Sequence, residues 1–131
     1  MQQLSKGLKF SKKFKVTEEH TAKHLGSGDV EVLSTPSLIL FMEETCRAFT
    51  DEYLPEEQTT VGTMVNIRHM KAAPVGAEIE VRAEILSIDG RRLTYWVEAW
   101  WGDKKIGQGV HERVIVNRKE FMEALVKELK K

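Results

Sequence analysis

A single apolar stripe at helical spacing runs through the middle of the chain. Its members step by four, four, three and four residues, and they are Leu38, Met42, Cys46, Phe49 and Tyr53. Pro36 fits the first helical position, where its missing N–H costs nothing, and this predicts Thr35 as the N-cap. Leu54-Pro55 ends the segment. The rest of the chain must therefore pack around one long helix with one buried face.

Alternating apolar and polar residues predict five β-strands around this helix. One strand precedes it at 8–16, and four follow it at 59–70, 78–88, 92–101 and 105–116. Asp89-Gly90 and Gly102-Asp103 have the composition of two-residue hairpin turns. In the second strand the alternation predicts a helix-facing side made of Val61, Val65, Ile67 and His69. A short helix is expected after Thr17, and Asn117 is expected to cap a C-terminal amphipathic helix.

Strands that follow one another after a helix indicate the α+β class. The simplest way to bury the apolar stripe is to wrap the antiparallel sheet around the helix, which is the hot-dog architecture. We find no repeat or linker, so residues 1–131 are predicted to form one domain. The sheet would keep an open edge, and this predicts an edge-to-edge homodimer, with a dimer of dimers as a further option.

Charge and cysteine content argue against several classes of protein. Lys and Arg total 20, as do Asp and Glu, so no net field attracts nucleic acid or an anionic membrane. No apolar run approaches the roughly 20 residues that span a bilayer. The basic segment 1–16 lacks the apolar core of a secretory signal. Cys46, as the only cysteine, rules out an internal disulfide and predicts a reducing, cytoplasmic setting.

Three polar side chains are candidates for chemistry. Glu43 lies about 100° from the centre of the stripe, so it either reaches water and pairs with Arg47, or orients a histidine or activates water. His69 is expected to face the helix, either as a hydrogen-bonded histidine at the core edge or as a proton carrier. Thr35 is either the helix cap or a hydroxyl nucleophile beside a helix N-terminus.

Two further strand positions attract attention. Gly62 interrupts the second strand, which predicts the close approach of another backbone or a ligand. Glu112 alternates with Val110 and Val114, so we expect a bulge near Gly109 to turn its carboxylate outward.

Metal, phosphate and nucleic-acid motifs are weak or missing in the sequence. His20 and His24 are spaced for a shared metal, but no third ligand stands nearby, so no metal site is predicted. There is no glycine-rich phosphate loop, GxSxG elbow or CxxC pair. Stacking on single-stranded nucleic acid, hairpin packing or a subunit contact would each explain Trp96, Trp100, Trp101, Lys104 and Lys105.

Three stretches of the chain together resemble the hot-dog thioesterases of the fluoroacetyl-CoA thioesterase type. They are LSTPSLILFMEETC, VGTMVNIRHMKAAPVGAEIEVRAEI and DGRRLTYWVEAWWGDKKIGQGVHERVIV, and the resemblance runs from about residue 10 to about residue 125. Its most specific features are the spacing of Thr35 and Glu43, the histidine followed by xxAxPxG, the DGRRL turn and the pattern GxGxHERxxI/V.

The resemblance implies that Thr35, Glu43 and His69 form the catalytic group, with His69 oriented by Glu43. It also implies that Gly62 and Arg113 contact an acyl-CoA substrate, which brings CoA with it, so no separate cofactor is expected. The segment GSGDVEVLS is shorter than the phenylalanine-containing lid of the fluoroacetyl-specific enzyme. The implied activity is therefore hydrolysis of a short acyl-CoA thioester, without the fluoroacetyl preference.

Two other functions remain open at this point. A protein that binds acyl-CoA, or a related ligand, without turnover would fit a Thr35 that acts only as a helix cap. A hot-dog hydratase would need an Asp/His pair at a different spacing, and no such pair stands out in the sequence.

Overall fold

The computed structural model describes residues 3–131, in which five antiparallel strands form one sheet around a long helix. The sheet order is β1-β3-β4-β5-β2. A 3-10 turn at Glu18–His20 and the short helix α1 follow β1. The elements are β1 (Lys9–Lys15), α1 (Ala22–Leu25), α2 (Thr35–Asp51), β2 (Gln58–His69), β3 (Glu78–Asp89), β4 (Arg92–Trp101), β5 (Lys104–Asn117) and α3 (Arg118–Leu129). The predicted α+β order is confirmed.

The central helix α2 begins one residue away from the predicted cap. Ser34 is the N-cap, and its hydroxyl oxygen accepts a hydrogen bond from the backbone N–H of Ser37 at 3.1 Å. The prediction that Thr35 caps the helix is therefore wrong. Serine and threonine are both capping residues, and proline is tolerated anywhere in the first turn because those N–H groups have no helical partner. The other end also differs, because α2 stops at Asp51 and Tyr53 lies beyond it.

The core lies between α2 and the sheet. The helix contacts β1, β2, β3 and β4, and Leu38, Met42 and Cys46 are at most 1% exposed. The alternation predicted for the two central strands is confirmed. Their buried residues are Ile79, Val81, Ala83, Ile85, Leu93, Tyr95, Val97 and Ala99. Each large apolar side chain buried in this way contributes about 1.5–3 kcal/mol to stability.

A β-bulge in β2 changes which of its residues face the helix. The register with β5 shifts between Gly62 and Met64. Before the bulge, Thr60 and Gly62 face inward, and after it Val65, Ile67 and His69 do so, because directly paired residues share a face. The prediction is correct for the last three residues and wrong for Val61, since one extra residue reverses the alternation.

The same pairing explains the unusual position of Glu112. Glu112, Val110 and Val114 do share a face, but it is the outer face of the sheet. There the carboxylate of Glu112 lies 3.3 Å from the guanidinium of Arg92. The bulge predicted near Gly109 is wrong in position. In β2 the register shifts opposite Arg113 and Glu112, and in β5 it shifts between Lys105 and Gly107 against β4.

The two edges of the sheet differ in length and charge. At one edge β1 has seven residues, of which four are Lys9, Lys12, Lys13 and Lys15. At the other edge β2 has twelve residues, and Arg68 and His69 are its only basic residues. Within 3–131, no helix has the length and apolar character required to cross a membrane.

Candidate active site

The first part of the candidate site joins the start of α2 to the end of β2. Thr35 is the first residue of α2 and is exposed, and His69 is the last residue of β2 and is half-buried. Their side chains meet, with 2.8 Å between the Thr35 Oγ1 and the His69 Nδ1. Because Ser34 caps the helix, the Thr35 hydroxyl is available for this contact. We refer to these two residues as the hydroxyl–imidazole pair.

The protonation state of His69 suits a base. Burial lowers the pKa of His69, and the polar backbone of Lys71 partly offsets this by raising the same pKa. The ring is therefore neutral at neutral pH. For the Thr35 hydroxyl to donate to Nδ1, the ring must carry its proton on Nε2, which is shielded from solvent and has no hydrogen-bond partner in residues 3–131. A hydroxyl that donates to a neutral imidazole is the arrangement of a nucleophile and its general base.

A cavity of about 220 Å³ lies beside His69. It is lined by Val32, Leu33, His69, Met70, Lys71 and Ala72. The Leu33 N–H donates to the carbonyl of Ala73 at 2.8 Å, which fixes the segment before α2 along this cavity. The short GSGDVEVLS stretch therefore supplies one wall of the space next to the imidazole.

The second part of the candidate site surrounds Glu43. This residue lies at the boundary of the helix, as its angle to the stripe predicted, with 37% of its side chain exposed. Its charged partner is Arg113, at 3.8 Å between Oε2 and Nη1. The alternative pairing with Arg47 is not formed, because Arg47 pairs with Asp51 at 2.9 Å. A cavity of about 220 Å³ opens here, lined by Leu40, Glu43, Glu44, Arg47 and Arg113.

Gly62 lies directly under the carboxylate of Glu43. A Cβ atom at this position would be 2.8 Å from the Glu43 Oε2 and 3.4 Å from the Arg113 Nη1. A close approach to Gly62 exists, but side chains make it and not the second backbone that the sequence predicts as one alternative; the other alternative, a ligand, stays a prediction. A missing side chain at position 62 leaves room for both charged groups.

Arg113 is almost fully buried and is held by hydrogen bonds. It is 5% exposed. Its Nε donates to the Thr60 hydroxyl at 2.6 Å and its Nη2 to the Thr60 carbonyl at 2.9 Å. Burial lowers the pKa of Arg113, while the neighbouring Tyr95 and Glu43 raise it. We call Thr60, Gly62, His111 and Arg113, together with Glu43, the Arg113 cluster.

Sequence reasoning missed His111 and Thr60. His111 is 1% exposed, and its Nε2 lies 3.2 Å from the Arg113 Nη1. One signal was available, because two residues that are two apart on a strand share a face. An inward-facing Arg113 therefore requires an inward-facing His111.

The two parts of the candidate site are separate within one subunit. Thr35 and Glu43 are eight residues apart on α2, which corresponds to about 12 Å along the helix axis. Gly62 and His69 are seven residues apart on β2, which corresponds to about 23 Å. The structure thus brings Thr35 to His69, and Glu43 to Gly62 and Arg113, but it does not place Glu43 against His69 in the same subunit.

The remaining candidates lie outside both groups. In residues 3–131, no set of three His, Cys, Asp or Glu side chains is arranged to hold a metal ion. The indole N–H groups of Trp96 and Trp100 donate to Glu98 at 2.7 and 3.0 Å. These contacts within β4 favour hairpin packing as the explanation for the tryptophans over a platform for nucleic acid.

Proteins that are similar to this chain in sequence and structure include thioesterases. The family model of the fluoroacetyl-CoA-specific thioesterase matches residues 16–119. The fluoroacetyl-CoA thioesterase of Streptantibioticus cattleyicolor is 32% identical over 121 residues, which are 88% of this chain and 87% of that protein.

Solved structures agree with the sequence match. One is a mutant of the fluoroacetyl-CoA-specific thioesterase in complex with fluoroacetate and CoA. It has a TM-score of 0.86 and 31% identity, and the match covers 90% of this chain and 99% of that one. Another is a hypothetical protein of Thermus thermophilus, a thioesterase superfamily member. It has a TM-score of 0.85 and 31% identity, and the match covers 99% of this chain and 96% of that one.

Proposed function

The chain belongs to the family of fluoroacetyl-CoA-specific thioesterases, and we propose that it hydrolyses its thioester with the hydroxyl–imidazole pair of one subunit and the Arg113 cluster of another. It has the hot-dog fold and is an acyl-CoA thioester hydrolase. The observation that carries the proposal is the 2.8 Å contact between Thr35 Oγ1 and His69 Nδ1.

In the proposed reaction the pair performs the first step. His69 Nδ1 takes the hydroxyl proton while Thr35 Oγ1 attacks the thioester carbonyl carbon. The C–S bond then breaks, and CoA leaves as a thiolate that takes the proton back from His69. A thiolate is already a stable leaving group, so the protein mainly needs to supply a nucleophile and stabilise the oxyanion. The product of this step is an acyl ester on Thr35.

Glu43 is proposed to perform the second step. Its carboxylate holds a water and accepts a proton as the water oxygen attacks the acyl ester. The Thr35 oxygen leaves and takes the proton that Glu43 accepted, which restores the free hydroxyl and the Glu43 carboxylate and releases the carboxylic acid. The half-exposed position of Glu43 supports this role, because the residue lines an open, solvent-accessible cavity.

A homodimer would bring the two parts of the site together. The β2 edge is long and carries few charges, so it suits antiparallel pairing with β2 of a second copy. His69 lies at one end of β2, and Gly62 lies toward the other end. Antiparallel pairing places opposite ends of two strands side by side, so His69 of one subunit comes close to Gly62 of its partner.

The cavity beside His69, of about 220 Å³ and open to solvent, has room for a short acyl group. The CoA part would remain outside this cavity and enters only as part of the substrate, so no separate cofactor is proposed. The single cysteine is buried, which suits the reducing cytoplasm that we propose as its location.

The first test looks for the acyl ester by mass spectrometry. If Glu43 activates the water, Glu43→Gln incubated with acetyl-CoA will accumulate an acetyl group on Thr35. The double variant Thr35→Ala/Glu43→Gln is the control and will carry none. An unmodified Glu43→Gln protein that has also lost steady-state thiol release would exclude the two-step route.

The second test locates the site relative to the subunits. His69→Ala and Glu43→Gln are co-expressed with different tags, and the mixed dimer is purified through both tags. A site shared between subunits gives one intact site in each mixed dimer, so its activity will reach about half that of the wild type. A mixed dimer as inactive as its parents would place the whole site within one subunit.

The hypothesis of a protein that binds acyl-CoA without turnover loses one of its two supports. It rests on Thr35 as the helix cap and on the altered lid segment GSGDVEVLS, and the cap is Ser34. Calorimetry that detects binding, combined with no release of thiol from a panel of short acyl-CoAs, would revive it.

A further inference from the structure

We propose that His111 is a positioning residue for this reaction: its ring holds the guanidinium of Arg113 and the bulged part of β2 in the geometry that directs Glu43 toward the substrate. The inference rests on the proposed function, because it assumes that Glu43 takes part in hydrolysis. His111 does not touch the substrate in this proposal and acts only through its neighbours.

The contacts of His111 select one tautomer of its ring. The Nδ1 lies 2.8 Å from the carbonyl oxygen of Met64. A carbonyl oxygen only accepts, so Nδ1 carries the proton and donates. In the neutral ring Nε2 is then an acceptor, and it faces the Nη1 of Arg113 at 3.2 Å. Both nitrogens are therefore used, in a side chain that is 1% exposed.

The hydrogen bonds to Thr60 and His111 hold the guanidinium of Arg113 in one orientation. Its Nε and Nη2 donate to the hydroxyl and the carbonyl of Thr60, and its Nη1 donates to His111. Three nitrogens bonded on different sides fix the plane of the guanidinium. The same Nη1 is 3.8 Å from the Glu43 Oε2, so the position of Nη1 determines the field that acts on the carboxylate.

His111 also holds the backbone next to Gly62. Its partner Met64 is the residue at which the register of β2 resumes after the bulge. A Cβ on Gly62 would lie 3.5 Å from the His111 Cε1 and 2.8 Å from the Glu43 Oε2. The imidazole of His111 thus contacts the bulged backbone of β2 and the guanidinium of Arg113, and it borders the space below the Glu43 carboxylate.

Electrostatics keep the ring in this form. Burial lowers the pKa of His111, the Met64 backbone raises it, and the charge of Arg113 lowers it further. Protonation would turn Nε2 into a donor that faces another donor and would place two cations side by side. The ring of Tyr95 stacks on the imidazole with 5.9 Å between centroids, which restricts its rotation.

The test separates the two nitrogens with two substitutions. His111→Gln places an amide oxygen near the position of Nε2 and can still accept from Arg113. His111→Asn keeps a donor near the position of Nδ1 and loses that acceptor. We expect kcat for acyl-CoA hydrolysis to fall about tenfold or more in His111→Asn, with KM changed less than twofold, and to stay within about threefold of the wild type in His111→Gln.

Thr50→Val is the matched control for stability. It removes the buried hydrogen bond of 2.6 Å between Thr50 and Tyr95, in which neither His111 nor Arg113 takes part. It should lower the melting temperature without lowering kcat. If His111→Asn loses no more turnover than Thr50→Val, or if His111→Gln is as slow as His111→Asn, the role of His111 is structural only and the proposal is wrong.

A readout that does not depend on activity separates this inference from the proposed function. In 15N NMR, hindered rotation should give resolved Nη signals for Arg113 in the wild type and in His111→Gln, and averaged signals in His111→Asn. Resolved signals in His111→Asn overturn the inference whatever its activity. Wild-type turnover in Glu43→Gln would instead overturn the proposed function and leave the NMR result to decide whether His111 holds Arg113.

Discussion

The hydroxyl–imidazole pair and the Arg113 cluster are built in opposite ways. In the pair, an exposed Thr35 and a half-buried His69 share one hydrogen bond. In the cluster, Thr60, His111 and Arg113 are at most 5% exposed, and several hydrogen bonds connect them. The pair can change partners during a reaction, whereas the cluster is fixed by its neighbours.

This difference is consistent with the roles that we propose for the two groups. A nucleophile and its base must exchange a proton and accept a substrate, so they need solvent access and few competing bonds. A charged group that sets the field at a carboxylate must not move, because small displacements cost large factors in rate. Substitutions in the pair should therefore affect activity alone, and substitutions of the buried, hydrogen-bonded residues Thr60, His111 and Arg113 should affect activity and stability together.

His69→Ala is expected to have the largest effect on activity. Removing the base should lower kcat/KM by about 10²–10⁴-fold, while the free energy of unfolding changes little because the side chain is half-buried. Thiol release from acetyl-CoA, together with thermal unfolding, measures both. His24→Ala, an exposed histidine on α1, is the control. Activity within fivefold of the wild type would show that the pair is not catalytic.

Arg113→Lys should affect both quantities. Lysine keeps the charge but cannot form the fork that reaches Thr60 and His111 together. We expect kcat/KM to fall about 10²-fold and the protein to lose about 1–3 kcal/mol of stability, because buried acceptors are left without donors. Urea unfolding and steady-state kinetics test this against Arg68→Lys, an exposed change on β2. If Arg113→Lys were as stable as the wild type, the cluster would not be rigid.

Gly62→Ala should separate function from stability inside the cluster. The new Cβ would lie 2.8 Å from the Glu43 carboxylate, which is the end of a flexible side chain and can move away. We expect a loss of about tenfold in kcat and a change in stability below about 0.5 kcal/mol. The adjacent exposed Thr63→Ala is the control. Unchanged kinetics in Gly62→Ala would mean that the position of Glu43 is not critical.

The smallest expected effect is the pH dependence of stability. Burial lowers the pKa of both His69 and His111, so the unfolded chain binds more protons than the folded one below about pH 6.5. Stability should therefore rise with pH from the lowered folded values up to about 6.5 and be level above that. His111→Asn should flatten this rise more than His69→Asn, because His111 is the more deeply buried of the two. Thermal unfolding between pH 5 and 8 measures it, and equal slopes would contradict the comparison.

The helix and the strands were predictable because their signals extend over many residues. The stripe on α2 and the alternation in β3 and β4 each depend on four or more positions, so one misplaced residue does not change the prediction. The choice between Ser34 and Thr35 as the cap depends on a single residue. Both side chains can cap a helix. The structure shows that Ser34 is the cap and that the Thr35 hydroxyl contacts His69 instead.

The bulge in β2 caused the other errors. One extra residue between Gly62 and Met64 reverses the facing of everything before it, and no residue type marks such a position reliably. Val61 was therefore assigned to the wrong face, and the compensating bulge was placed near Gly109. The sequence also did not reveal that Glu43 and His69 lie in separate parts of the site. Their separation depends on distances along α2 and β2 rather than on residue identity.

The lysines of β1 determine how far the sheet can extend. In the homodimer that we propose, the copies join through β2, so both outer margins of the enlarged sheet would be β1 strands that carry four lysines each. A third copy approaching either margin meets a row of like charge, and the association ends at a particle of fixed size rather than a fibre. The short strand β1 would thus keep the proposed dimer from growing into a polymer.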